Sequence, residues 1–364
     1  MMKRTALLMA GLLFVFGCAS DDGDSIGAPT STTAATSTTV VEADPVDATL
    51  AETVEEPTTT TTTSAPPAAF PTDACDSQPS VRIGITSETI VSGGLEYMTQ
   101  WSVPSSYDGS PLPVVLDFHG IGSNGSQQSL FSGIGPLAER EGFVAVHPTG
   151  LSTPTDDRAS WELPQFDSDD RDDVQFVRDL LDTLTSNVCI DQERVYAAGM
   201  SNGGFFTSVM VCELSERIAA AVSVAGVTHD DSCEPAEPVP YLAFHGVDDS
   251  VVPFDGSGVS TLPGAEVAGA FFEQVPKEEF AEFAADFGCG TSADTAVSDL
   301  VTRTTFGGCA DDVEVAFYTI TDGGHTWPGS VVSQSIAALG VTNTDIDATQ
   351  LAWDFFVRST SAAD

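Results

Sequence analysis

Short apolar runs separated by helically spaced stretches recur from residue 113 to the C-terminus. Pro113 to Phe118 (PVVLDF), Gly142 to His147 (GFVAVH), Arg194 to Ala198 (RVYAA), Ile218 to Val224, Pro240 to His245 (PYLAFH) and Val313 to Thr319 (VEVAFYT) predict strands. Between the second and third, Val174, Phe176, Val177, Leu180, Leu181, Leu184 and Val188 fall at helical spacing, predicting a helix over Asp173 to Val188. A second helix is expected from Asn202 to about Leu214, and an amphipathic closing helix over Thr344 to Arg358. Strands alternating with helices predict an α/β fold, a mostly parallel central sheet with helices on both faces.

The first 72 residues do not share this pattern. Residues 1–17 carry Lys3 and Arg4, then an apolar run from Leu7 to Phe16, which reads as an export signal too short to span a bilayer. Gly17 directly before Cys18 resembles a bacterial lipoprotein cleavage site, with Cys18 as the lipidated residue. Residues 18–72 are Thr, Ala, Pro, Ser and acid, including Thr58 to Thr63. They offer too little apolar surface to fold and are expected to form a disordered stalk. Residues 73–364 are then one domain, exported and held at the cell surface through Cys18.

Charge narrows the partners. The 364 residues hold 54 acidic and 12 basic side chains, a formal charge of −42. That field repels phosphate backbones and anionic membrane surfaces, so nucleic acid is not expected and any membrane contact should come from the lipid anchor alone. Cysteine usage fits export. Setting Cys18 aside leaves an even set of six, with no CxxC pair to suggest zinc. Proximity in sequence favours Cys289 with Cys309 and Cys212 with Cys233, leaving Cys75 with Cys189 by elimination.

One strand–turn–helix carries candidate chemistry. After Arg194 to Ala198 comes Gly199-Met200-Ser201-Asn202-Gly203, a G-x-S-x-G turn that would lift the Ser201 hydroxyl above the sheet. The same pattern at Gly23 to Gly27 has no strand before it or helix after it, so it carries no such meaning. A serine hydroxyl needs a base to take its proton. Of five histidines, His119, His147 and His245 end strands, and His229 sits beside Asp230 and Asp231, where it is expected to be solvated. His325 follows the last strand in DGGHTWPG and is the candidate base. The orienting acid should follow the strand ending at His245, where Asp248 and Asp249 compete and spacing does not separate them. For the oxyanion, backbone amides of Asn202 and Ile121 are the candidate donors, the latter in the glycine-rich loop His119 to Gly125. Trp327 and Trp161 are candidate walls of a substrate pocket.

GMSNGG at Gly199 to Gly204, HGxxDxxVP at His245 to Pro253 and GGHTWPG at Gly323 to Gly329 together resemble the extracellular polyhydroxybutyrate depolymerases and feruloyl or acetylxylan esterases, a group that includes lipoprotein-type esterases. DDVQFVRDLLD at Asp172 to Asp182 and IDATQLAWDFF at Ile346 to Phe356 also fit, so the resemblance spans Cys75 to Arg358. It implies an α/β-hydrolase fold and a Ser201–His325–Asp249 triad, the acid standing four residues after His245. Phe287 to Cys289 resembles the family's NGC, which implies Cys289 with Cys309. The activity implied is hydrolysis of hydroxyalkanoate, feruloyl or acetyl esters, small or polymeric; a serine mechanism needs no metal or organic cofactor, and a monomer is expected. Two rivals are a serine peptidase of the same fold and an inactive scaffold that binds at the cell surface.

Overall fold

The computed structural model describes Cys75 and residues 82–153, 157–163, 171–257 and 274–361. The chain divides into residues 1–65, which lie outside the described residues, and 66–364, which hold every element below. The expected export signal, Cys18 and the stalk therefore all lie outside the described residues.

Among the described residues, ten strands make one sheet. β1 (Gly84–Ser92) and β2 (Leu95–Val103) form a hairpin that turns at Gly93 and Gly94, whose φ angles of 57° and 84° favour glycine. β3 (Leu112–Phe118) leads through α1 (Gly125–Ser132) and α2 (Ile134–Glu141) to β4 (Val144–Pro148). α3 (Asp173–Asn187), β5 (Ile190–Met200), α4 (Asn202–Glu213), β6 (Ala220–Val224) and β7 (Tyr241–Gly246) follow. Then come α5 (Pro276–Asp286), β8 (Thr291–Ala296), β9 (Val301–Gly307), β10 (Val315–Ile320), the short α6 (Val331–Gln334) and α7 (Ala348–Ser361).

The strand order is β1-β2-β4-β3-β5-β6-β7-β10-β9-β8. β4, β3, β5, β6, β7 and β10 run parallel, and an antiparallel pair flanks them on each side. The parallel strands are buried on both faces, as helices packed on each side require. Alternation along β3 divides the core: Val114, Leu116 and Phe118 pack with Phe176 and Leu180 of α3 and Phe206 and Met210 of α4. Val115 packs on the opposite face with Leu137 of α2 and Phe355 and Phe356 of α7.

α3 starts where expected because the Asp172 carboxylate accepts from the Gln175 amide, capping the first turn. The flanking strands are different. Among the described residues β1 pairs only with β2, and its outer face shows Ile85 and Val91 beside Met98 of β2 to solvent. Disulfides join Cys75 to Cys189, Cys212 to Cys233 and Cys289 to Cys309, fitting an oxidising compartment.

Candidate active site

Three strand ends meet the chemistry at the carboxyl edge of the parallel sheet. Met200, Val224, Phe244 and Tyr318 are in register across β5, β6, β7 and β10. Just beyond that row stand Ser201 after β5, Asp249 after β7 and His325 after β10. All three are buried.

Ser201 has φ 58° and ψ −123°, a left-handed conformation that costs a non-glycine residue roughly 1–3 kcal/mol. The surroundings enforce it. The Ser201 amide donates to the Val224 carbonyl at 2.9 Å, and the Phe205 amide donates back to the Ser201 carbonyl at 2.9 Å, starting α4. A Cβ on Gly203 would clash with the Phe118 carbonyl and lie 2.7 Å from that of His119. A Cβ on Gly199 would clash with the Gly203 carbonyl and lie 2.8 Å from Thr207 Oγ1. Both glycines of the motif are thus sterically required. Gly226 is required too, since its Cβ would meet the Ser201 carbonyl. No motif in the sequence singled it out.

His325 Nδ1 donates to Asp249 Oδ2 at 2.8 Å, in a pair that excludes water. The other Asp249 oxygen accepts from the amides of Val251 and Val252, each at 2.8 Å. Burial alone would push this carboxyl up, but His325 and the other donors hold it below the usual aspartate range. Asp249 therefore stays a carboxylate. Asp248, its rival in sequence, is exposed, and its backbone amide donates to Gly323. His245 donates Nε2–H to the Val252 carbonyl at 2.9 Å and lies 3.5 Å from Asp249. Burial lowers its pKa, so it sits neutral beside the pair and brings no competing charge. The loop bearing His325 is fixed by the Gly324 amide donating to Val341 and by Gly323 accepting from Asp248.

With Nδ1 engaged, His325 Nε2 is left to receive a proton. Among the described residues no hydrogen bond joins it to the Ser201 hydroxyl; such bonds commonly tighten only when substrate binds.

The loop after β3 approaches the serine closely: a Cβ on Gly120 would lie 3.2 Å from Ser201 Cβ and 3.7 Å from its Oγ. His119, fully buried, organises this loop. The Gly150 amide donates to its Nε2 at 2.9 Å, which makes Nδ1–H the donor to the Gly120 carbonyl at 2.7 Å. Burial holds its pKa down at about 4, so the ring is neutral at neutral pH. Ser123 also donates to the Gly120 carbonyl, and the Gly122 amide donates to Ala159. Because the peptide is trans and planar, the Ile121 N–H points away from those donors. Among the described residues neither this amide nor that of Asn202 finds an acceptor.

Two side chains expected to wall a pocket do not. Trp161 is 2% exposed and stacks on Phe206 at 5.0 Å, its indole N–H donating to the His119 carbonyl. Trp327 is fully buried and donates to Thr349. Each fills the core, where its large apolar area is removed from water and its one donor is satisfied. His229 is likewise not solvated: Nε2 meets Asp286 at 2.7 Å and its ring packs edge-on against Phe283. Among the described residues, His229, Cys233 and Asp286 are the group with metal-ligand spacing, but Cys233 is bonded to Cys212 and offers no thiolate.

Comparison with known proteins bears on the same region. The prolyl oligopeptidase family matches residues 167–234, which include Ser201. NocK of Nocardia uniformis subsp. tsuyamanensis, an esterase by name, is 29% identical over 278 residues, covering 70% of this chain and 76% of its own. Feruloyl esterase B of Piromyces equi is 30% identical over 230 residues, 61% of this chain but only 41% of that protein. Among solved structures, the acetyl xylan esterase from Aspergillus awamori superposes with a TM-score of 0.51 at 14% identity, over 75% of this chain and 99% of that one. The fold is shared.

Proposed function

We propose that this chain is an esterase of the α/β-hydrolase fold and that it hydrolyses carboxylic esters through Ser201, His325 and Asp249. The observation that carries the reading is the buried 2.8 Å pair of His325 and Asp249 at the sheet edge that presents the strained Ser201. Asp249 fixes the imidazole with Nδ1 protonated. Nε2 then takes the Ser201 proton as Oγ attacks the ester carbonyl, and the imidazolium returns it to the leaving alcohol. Ile121 and Asn202 amides hold the tetrahedral oxyanion, and water repeats the cycle to release the acid.

Feruloyl and acetyl esters of plant cell-wall polysaccharide are the substrate class we favour, with hydroxyalkanoate polyesters as the third member. The names of the feruloyl and acetyl xylan relatives support the first two. An exported enzyme anchored through Cys18 would meet such polymers outside the cell.

Ser201→Ala should lower turnover of p-nitrophenyl acetate by roughly 10⁴-fold or more, because triad members act as a unit. Near-normal turnover would end the assignment. The match to the prolyl oligopeptidase family favours one rival, a peptidase on the same fold. Peptide anilides cleaved faster than methyl ferulate or acetylated xylan would select it.

A further inference from the structure

The two candidate oxyanion donors belong to separate parts of the chain. Ile121 lies in the loop after β3 and Asn202 at the start of α4, so something must set the distance between them. Residues 159–161 touch both. The Trp161 amide donates to Asn202 Oδ1 at 2.7 Å, and Asn202 Nδ2 donates to the Trp161 carbonyl at 3.2 Å. The Trp161 indole N–H donates to the His119 carbonyl at 3.0 Å, and Ala159 accepts from Gly122 at 2.7 Å.

Aromatic packing makes this strap rigid. The indole stacks on Phe206 of α4 at 5.0 Å and meets Phe118 of β3 edge-on at 5.3 Å. One side chain thus touches both β3, whose following loop carries Ile121, and α4, which begins at Asn202, while its backbone grips the side chain of Asn202.

We propose that Trp161 is a positioning residue for the oxyanion hole: its indole N–H and its backbone pairing with Asn202 fix the Ile121 amide relative to the Asn202 amide. The inference rests on the esterase reading of Ser201. It differs from a packing role in one respect. The rings of Phe206 and Phe118 would accept a phenylalanine at 161, but the His119 carbonyl would lose its donor, and the loop carrying Ile121 would lose one of its ties. A donor displaced from the forming oxyanion weakens the transition state and leaves ground-state binding alone.

The test is Trp161→Phe, assayed on p-nitrophenyl acetate with rates divided by the active sites titrated by a fluorophosphonate. We expect kcat per site to fall about 10- to 100-fold with KM within about twofold. The inhibition constant of phenylboronic acid, which forms a tetrahedral anion on the serine, should rise by the same factor as kcat/KM falls. Asn202→Ala removes the other two hydrogen bonds without touching a core ring and should show the same pattern, which keeps the test open if Trp161→Phe does not fold. Fewer titratable sites with unchanged kcat per site and unchanged boronate inhibition would overturn the proposal. Failure of the fluorophosphonate to label wild-type Ser201 would instead sink the esterase reading beneath it.

Discussion

Lowering the pH from 7 to 4 charges an exposed imidazole but leaves His119 neutral until the bottom of that range. Its ring accepts from Gly150 through Nε2, a bond that protonation would abolish, and burial holds its pKa at about 4 against 6.5 in the unfolded chain. The unfolded state therefore binds the extra proton first. Stability from this group is complete above pH 6.5 and is lost as the pH falls toward 4. A separation of about 2.5 pKa units corresponds to roughly 3 kcal/mol. Other charges move in the same window, since a chain at −42 relieves self-repulsion as carboxylates protonate. The difference between wild type and His119→Gln removes that shared contribution. Urea unfolding of both proteins across the range should show the wild type losing about 3 kcal/mol more than the variant. Parallel stability curves would refute the account of a neutral, buried His119 holding the Gly120 peptide.

Two further expectations follow from packing and from cross-links. Gly203→Ala forces a Cβ onto the Phe118 carbonyl and should cost about 3 kcal/mol and most of the activity, whereas Gly290→Ala, which meets nothing within 4 Å, should stay within about 0.5 kcal/mol; thermal melts compare them. Replacing Cys75 and Cys189 by serine opens a loop of 114 residues and should cost about 5 kcal/mol, against about 3 kcal/mol for Cys289 and Cys309 with a loop of 20. Equal losses in denaturant titrations would show that loop closure does not govern their effect.

The central strands were legible because parallel strands buried on both faces must be almost wholly apolar, as Val114 to Phe118 nearly are. The exception, Asp117, is buried and accepts from Gln128, Ser132 and His147, two of them on α1. The antiparallel flanks were not legible. β8 reads Thr-Ser-Ala-Asp-Thr-Ala and exposes every residue, so its ladder with β9 and the Thr304 hydroxyl donating to Asp294 hold it, and such contacts leave no apolar signature. α1, Gly-Ser-Gln-Gln-Ser-Leu-Phe-Ser, is too polar to show a helical stripe. At the site, Ser201 and His325 stood out because each follows a strand inside a glycine-marked turn, whereas spacing left Asp249 level with Asp248 and only the family resemblance favoured it. Trp161 was seen but misread. Its hydrogen bonds reach 41 and 42 residues along the chain, to backbone and amide groups whose placement no spacing encodes.

The hairpin at the sheet margin carries a liability for handling. β1 offers unpaired backbone among the described residues and an apolar outer face, the combination that invites one molecule to zip onto the next. Mutual repulsion between strongly acidic copies opposes that encounter, and it weakens in concentrated salt or near the isoelectric pH of about 4.1. Under those conditions the same ribbon that closes the sheet becomes its stickiest margin, and storage at neutral pH and modest ionic strength is what the molecule's own charge recommends.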